Sequence, residues 1–236
     1  MNQAGNVVAQ TKTKLAEQIQ PGMTTQELDK IAELNINKLG ATPSFKGYLG
    51  FPSTICVSIN EQIVHGIPSD RVIKRGDIVS IDVGAVVNGF HSDSAFTVGI
   101  GEISSKAQNL IESTKEALKH GIEQAQEGAR IGDISAAIQN YAENLGYGVV
   151  RQYVGHGIGR ALHEDPQVPN YGLPGRGPIL KAGMAIAIEP MLNIGGVGTI
   201  QLDDGWTVVT ADGTLSAHFE DTIAITRDGT VVLTEN

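Results

Sequence analysis

DIVSIDVGAVVNGFHSDSAFTV, residues 77–98, places Asn88-Gly89 between two runs rich in β-branched and aromatic residues. An Asn-Gly dipeptide in that setting is the strongest short-range hairpin signal, because both residues tolerate the positive φ of a type I′ turn. With these two at the turn, Asp82 pairs with Ala95 and Asp93 with Gly84. Asp82 and Asp93 are then diagonal neighbours on one face, about 7–8 Å apart at the backbone. Two buried carboxylates at that separation repel, and burial drives at least one toward protonation unless cations neutralise them. Two solvated acids on an exposed hairpin face are the competing reading of this segment alone.

Beyond the hairpin, the chain repeats its own layout. PGMTTQELDKIAELNINKLG (21–40) aligns with EGARIGDISAAIQNYAENLG (127–146), glycines matching near both ends. GDIVSID (76–82) aligns with GMAIAIE (183–189), each running from a Gly to a carboxylate. HSDS (91–94) aligns with HFED (218–221), each placing an acid two residues after a His. Three matches in one order imply a pseudo-twofold domain: helix, strand ending in an acid, second strand carrying an acid. Two acids from each half would meet near the axis.

The elements around these landmarks are legible from periodicity. Thr24 with Glu27 forms a capping box ahead of an amphipathic helix whose apolar positions are Leu28, Ile31, Ala32, Ile36 and Leu39. A second helix carries Leu110, Ile111, Leu118, Ile122 and Ala125 on one stripe. A third carries Ile134, Ala137, Ile138, Tyr141 and Leu145. The runs TICVSIN, AFTVGI, MAIAIE, TVVT, TIAIT and TVVLT read as strands, and VPNYGLPGRGP reads as an irregular loop. The class is α+β.

Composition narrows the function. The 236 residues carry a formal charge of -9 and are 41% hydrophobic. Nucleic acid and anionic membrane surfaces need clustered Lys and Arg, so neither is an expected partner. One cysteine, Cys56, excludes an intrachain disulfide and a cysteine-based zinc site. The polar first segment lacks a signal-peptide core, and no apolar run reaches the length of a membrane helix. The expectation is a soluble, cytoplasmic chain.

In the second half, Glu189 closes the apolar run GMAIAIE and Glu220 precedes TIAIT. With Asp82 and Asp93 they supply four acids. Together with one histidine they would suit two divalent cations, Mn, Fe or Co at least as well as Zn. GHGIGRALHEDP (155–166) resolves in the same direction. A dinucleotide loop needs a helix starting at its glycines, and Pro166 follows too soon. The glycines are instead expected to let the backbone pass close to metals and substrate. His91 and His218, each two residues before an acid and on its strand face, are expected to pack at strand entries, with support of the neighbouring metal ligand as the lesser reading, and His120 is expected to be solvated.

VHGIPSD, IDVGAVVNGFHSDSAFTV, GHGIGRALHEDP, AIEPM and HFEDT together resemble the motifs of the type I methionine aminopeptidases, across nearly the whole chain. The resemblance implies a pita-bread fold, a curved antiparallel sheet with two outer helix pairs, with residues 1–236 as a single catalytic domain. It implies that Asp82 holds one metal ion alone, that Asp93 and Glu220 bridge two, and that His156 and Glu189 complete the other ion's shell. Co, Mn, Fe or Zn would all be compatible. Glu189 would also shuttle the proton, while His65 and His163 contact substrate. Tyr48, Phe51, Cys56 and Trp206 would form the methionine pocket, with Phe45 and Leu162 beside them.

The implied activity is removal of the N-terminal methionine from nascent polypeptides with a small second residue, through metal-activated hydroxide attack on the first peptide bond. The enzyme would act as a monomer on nascent chains at the ribosome. Two departures from the family pattern bear on pocket shape. Leu162 stands where an aromatic residue is usual before the second histidine, and Leu49 stands where the family often has His. Prolidases and aminopeptidase P share the ligand set but usually carry an added N-terminal domain. A non-catalytic binding protein on the same fold would not need all five ligand positions filled.

Overall fold

The computed structural model describes residues 1–235; residue 236, the last of the expected domain, lies outside them. Helices α1 (Asn2–Gln18) and α2 (Thr25–Lys38) come first, then strands β1 (Thr42–Pro43), β2 (Ile55–Ile59) and β3 (Gln62–Val64). The long hairpin β4 (Ile78–Val87) and β5 (Phe90–Gly99) completes the first half. Helices α3 (Ser105–Gln124) and α4 (Ile131–Asn144) open the second, followed by β6 (Gly148–Val149), β7 (Gly155–Gly157) and β8 (Glu164–Val168). Strands β9 (Ala185–Ile188), β10 (Met191–Asn193), β11 (Thr199–Gln201) and β12 (Val208–Thr210) continue it. The chain ends in β13 (Ser216–His218), β14 (Asp221–Thr226) and β15 (Gly229–Val232).

The expected hairpin forms in the expected register, with Asp82 opposite Ala95 and Gly84 opposite Asp93. Asn88 and Gly89 take φ values of 52° and 74°, as a type I′ turn demands. Alternation along β4 then separates two environments. Val79, Ile81, Val83 and Ala85 pack with Val8, Leu15, Leu28 and Ile36 of α1 and α2. Asp82 and Gly84 face the other way. Gly84 has no room for a side chain, since a Cβ would come 2.6 Å from the Phe45 ring.

The second half is built alike. Strand β9 lies between β14 and β7 in a five-stranded antiparallel sheet. Its helix-side core joins Leu110, Leu118, Ile134 and Ile138 to Ile186, Ile188 and Ile223. Thr24 and Glu27 make both halves of the capping box, with the Glu27 N–H donating to Thr24 Oγ1 at 3.2 Å and the Thr24 N–H to Glu27 Oε2 at 2.7 Å. The repeated helix keeps one half only: the Arg130 N–H donates to Asp133 Oδ2 at 2.7 Å. Leu145 departs from its expected place on the α4 stripe. It is the C-cap residue, and the end of the helix leaves it 54% exposed.

The halves join between β5 and β14. Ala95 pairs with Glu220 through two backbone hydrogen bonds. Asp93 meets Thr222, whose Oγ1 accepts from the Asp93 N–H at 2.9 Å and donates to the Asp93 carbonyl at 2.7 Å. The repeat equates Asp93 with Glu220 and Ala95 with Thr222. Each of these contacts is therefore the image of the other, as a local pseudo-twofold requires. Glu189 directly follows β9 and Glu220 directly precedes β14, while Ile188 pairs with Asp221. Two acids from each half thus reach one place.

Candidate metal centre and its pocket

Asp82, Asp93, His156, Glu189 and Glu220 line one pocket of about 180 Å³, together with His65 and His163. Tyr48, Phe51, Cys56 and Trp206 line it too, with Phe45, Leu49 and Leu162. The five acid and histidine positions, the two further histidines and the aromatic residues that the resemblance implied therefore meet here, while His91, His120 and His218 do not line the pocket. A larger groove of about 510 Å³, lined by Lys12, Phe96 and Phe219 among others, lacks this concentration of buried acids. Chemistry rather than size marks the site.

The acids are costly as they stand. Asp82 Oδ1, Asp93 Oδ1 and Glu220 Oε1 are buried without a hydrogen-bond partner. Burial first, and then the neighbouring carboxylates, push the group upward: Glu189 to about 8, and Asp93 and Glu220 well above the usual carboxylate range. Burial alone raises Asp82 to about 7, against opposing hydrogen bonds from Asp93 and Val83. Burial pushes the histidines the opposite way, His65 and His156 to about 4 and His218 to about 3, so all three rings are neutral near pH 7.

These features fit a divalent metal. Asp93, His156 and Glu220 bring ligand atoms to within 4.8 Å of one another. A carbonyl only accepts, so the 2.9 Å contact of His156 Nδ1 with the Gly157 carbonyl assigns its proton to Nδ1. The Nε2 lone pair is left free for a cation, and Glu189 Oε1 lies 3.8 Å from it. Carboxylates that are unpaired in a dry site become favourable once cations supply the missing charge.

The histidine and aromatic side of the pocket is also ordered. His163 Nδ1 lies 2.8 Å from the Tyr48 hydroxyl, and its ring is 4.2 Å from that of His156. His65 has a φ of 60°, a left-handed conformation that few non-glycine residues adopt and that concentrates at functional sites. Its ring stands edge-on to Tyr153 at 5.5 Å and to Trp206 at 6.3 Å. Phe51 and Trp206 meet edge to face at 5.1 Å.

Two expectations are extended. Gly155 and Gly157 of GHGIG have a strand-packing role that the sequence did not show. A Cβ on Gly155 would lie 2.3 Å from the Ala187 carbonyl oxygen, and one on Gly157 would lie 2.2 Å from that of Asp165. His218 is not simply packed at a strand entry, since its Nε2 is unpartnered and 3.9 Å from both Glu189 Oε2 and Glu220 Oε2. Its spacing from Glu220 was the available signal. His91 does pair structurally, with its Nδ1 3.0 Å from Ser44 Oγ. Asn170, unnoticed in the sequence, donates to the Glu189 carbonyl at 3.0 Å and anchors that backbone. His120 lies on α3 against the Tyr141 ring at 4.5 Å, its side chain 44% exposed.

Residues 1–227 match the model of metallopeptidase family M24. The chain belongs to this family. The M24 peptidase is 56% identical over 234 residues to a methionine aminopeptidase of Clostridium perfringens (strain 13 / Type A), covering 99% of this chain and 94% of the relative. A crystal structure of methionine aminopeptidase from Thermotoga maritima matches it with a TM-score of 0.98 at 46% identity, covering 100% of this chain and 95% of the other. A prolidase from Pyrococcus furiosus matches with a TM-score of 0.81 at 26% identity, and only 62% of that chain is covered. The fold is the pita-bread fold that these two share.

Proposed function

We propose that this M24 peptidase removes the N-terminal methionine of nascent polypeptides whose second residue is small, acting in the cytoplasm as one catalytic domain. The observation that carries the reading is a single pocket that joins four buried acids, three of them with an unpartnered oxygen, and His156 to an apolar, aromatic wall. The high identity to methionine aminopeptidases over the full length supports the choice within the family.

Asp82, Asp93, His156, Glu189 and Glu220 would hold two divalent cations, of Co, Mn, Fe or Zn. Bound there, they supply Lewis acidity and lower the pKa of a water. Glu189 holds the proton released from that water and returns it to the leaving amine, the role of a general acid–base. His163, oriented by the Tyr48 hydroxyl, donates to the oxygen of the scissile carbonyl as negative charge develops. His65 orients the peptide bond from the Trp206 side. Tyr48, Phe51, Cys56 and Trp206, with Phe45 and Leu162, surround the methionine side chain with apolar and polarisable surface that suits a thioether. Asp82 would help to hold the substrate's free amine at the site, which would restrict cleavage to the first residue.

The test strips metal from the protein and adds back Mn, Co, Fe or Zn singly, with Met-Ala-Ser, Met-Lys-Ser and Ala-Pro as substrates. Metal-dependent release of methionine from Met-Ala-Ser alone is the expected result. Cleavage of Ala-Pro instead would place the chain with the prolidases. No release with any metal would sink the catalytic reading.

A further inference from the structure

His218 closes β13 two residues before Glu220, and its ring is 2% exposed. Its Nε2 has no hydrogen-bond partner, yet sits 3.9 Å from Glu189 Oε2 and 3.9 Å from Glu220 Oε2. His156 faces the other oxygen of the same Glu189 carboxylate, at 3.8 Å from Oε1. Two imidazoles therefore address the two oxygens of one acid. Only His156 belongs to the group whose ligand atoms converge within 4.8 Å.

That asymmetry separates two tasks. An ionised carboxylate only accepts, so oxygens turned away from a cation need a donor if they are buried. Among the described residues, no side-chain hydrogen bond reaches either the Glu189 or the Glu220 carboxylate, and Glu220 Oε1 is wholly unpartnered. His218 Nε2 is the nitrogen placed between them. The separation exceeds a hydrogen bond by about 1 Å. Rotation about the terminal carboxylate torsion, which is broad, covers that distance.

We propose that His218 is a positioning residue whose Nε2–H donates to the Glu189–Glu220 carboxylates, fixing their outer oxygens so that the inner ones face the cation and Glu189 keeps its orientation for proton transfer. This rests on the metallopeptidase reading above. It gives the site a donor that neither the five ligands nor the substrate-contacting histidines supply.

The experiment compares the full chain with His218→Gln, which keeps an N–H donor, and His218→Leu, which removes it. Cobalt(II) is titrated into metal-stripped protein without substrate, followed by calorimetry and by visible absorption. His218→Leu should bind cobalt about 10–100-fold more weakly with a changed visible spectrum, and His218→Gln should recover most of the affinity. With saturating metal, His218→Leu should lose kcat on Met-Ala-Ser while KM changes little. Wild-type affinity and spectrum in His218→Leu would overturn the proposal, as would equal losses in both variants.

Should His218→Leu fail to fold, wild-type protein loaded with diamagnetic zinc gives the answer. In its histidine 15N spectrum, a protonated Nε2 for His218 supports the donor role. An unprotonated, zinc-shifted Nε2 would make His218 a ligand and overturn it. Wild-type protein that binds no cobalt at all would overturn the metallopeptidase reading itself, a distinct result that removes the basis of this one.

Discussion

Ala95 and Glu220 exchange both backbone hydrogen bonds, at 3.2 Å from the Ala95 N–H and 3.0 Å from the Glu220 N–H. This antiparallel pair ties the first half of the chain to the second beside the candidate metal centre. A polar clip lies next to it. Lys12 Nζ donates to Ser94 Oγ at 2.5 Å and to Asp221 Oδ1 at 3.2 Å, while Thr234 Oγ1 donates to the same Asp221 oxygen at 2.7 Å. Ser94 follows Asp93, and Asp221 follows Glu220. The clip therefore holds the backbone of one acid from each half.

Replacing Lys12 with Met removes the only cation on Asp221 within this clip. The pair is largely buried, with side chains 18% and 10% exposed. Loss of one partner should destabilise the fold by about 3 kcal/mol, the low end for a buried pair because Ser94 and Thr234 still serve the carboxylate. Urea denaturation measures this. Adding Asp221→Asn to Lys12→Met should recover part of the loss, and strict additivity would refute the coupling.

Asp93→Ala and His163→Ala should fail differently. The first should lose bound metal together with activity, because Asp93 supplies a ligand atom to the converging cluster. The second should retain metal and lose about 100–1000-fold in kcat, as expected for one lost oxyanion donor. Metal content by elemental analysis beside peptide cleavage separates the two. Metal loss in both would contradict the separate roles.

Stability of the metal-free protein should fall as pH rises from about 6.5 to 8. Asp82 and Glu189 have folded pKa values raised to about 7 and about 8. Their contribution is fully present below the ordinary carboxylate range and is lost as pH rises through those values. His65 and His156, lowered to about 4, act oppositely: their contribution is present above about 6.5 and lost as pH falls through 4. Below pH 6.5 the two trends oppose each other, so the slope is clearest above it. Thermal melts of chelator-treated protein at several pH values should show the decline, and bound metal should abolish it with release of protons.

Gly157→Ala should disrupt β7 against β8. Its Cβ would stand 2.2 Å from the Asp165 carbonyl oxygen, which is backbone and cannot swing aside. A loss of about 1–3 kcal/mol or more is expected, read as a lowered Tm. Because His156 sits beside this glycine, metal affinity should weaken as well. An unchanged melting curve would contradict the packing role assigned to this glycine.

Trp206→Ala should open the proposed methionine pocket without touching the five proposed ligands. Its edge-to-face contact with Phe51 at 5.1 Å would be lost. kcat/KM for Met-Ala-Ser should fall about 10–200-fold, the scale of losing about 1–3 kcal/mol of pocket contact. Cobalt affinity should stay as in the wild type. If metal binding fell in parallel, Trp206 would be supporting the centre rather than the pocket.

Local signals carried far in this chain. Asn88-Gly89 specified a turn and, with the pleat, the register that puts Asp82 and Asp93 on one face. Thr24 and Glu27 marked a helix start, and the spacing of Leu28, Ala32 and Ile36 marked its buried side. These depend on neighbours within a few residues, so the sequence states them directly. The repeat also showed that Asp93 and Glu220 are counterparts, because duplicated layouts leave aligned chemistry.

Contacts between distant segments were a different matter. The purpose of Gly155 and Gly157 depends on how closely Ala187 and Asp165 approach, and no local pattern encodes that approach. His218 shares a face with Glu220 by alternation, but its distance to Glu189 depends on how β9 and β13 are brought together. Lys12 meets Asp221 only because α1 lies across β5 where β14 joins it. Sequence alone determined three of the four described α-helices, most of the longer strands, the hairpin register and which acids are available to a cation, through short-range backbone geometry and residue chemistry, while α1 and the strands β7, β8 and β10 went unmarked. The tertiary structure decided which acids are left without partners, which imidazole lies between them and which glycines admit a neighbouring strand, because those follow from packing between segments far apart in the chain.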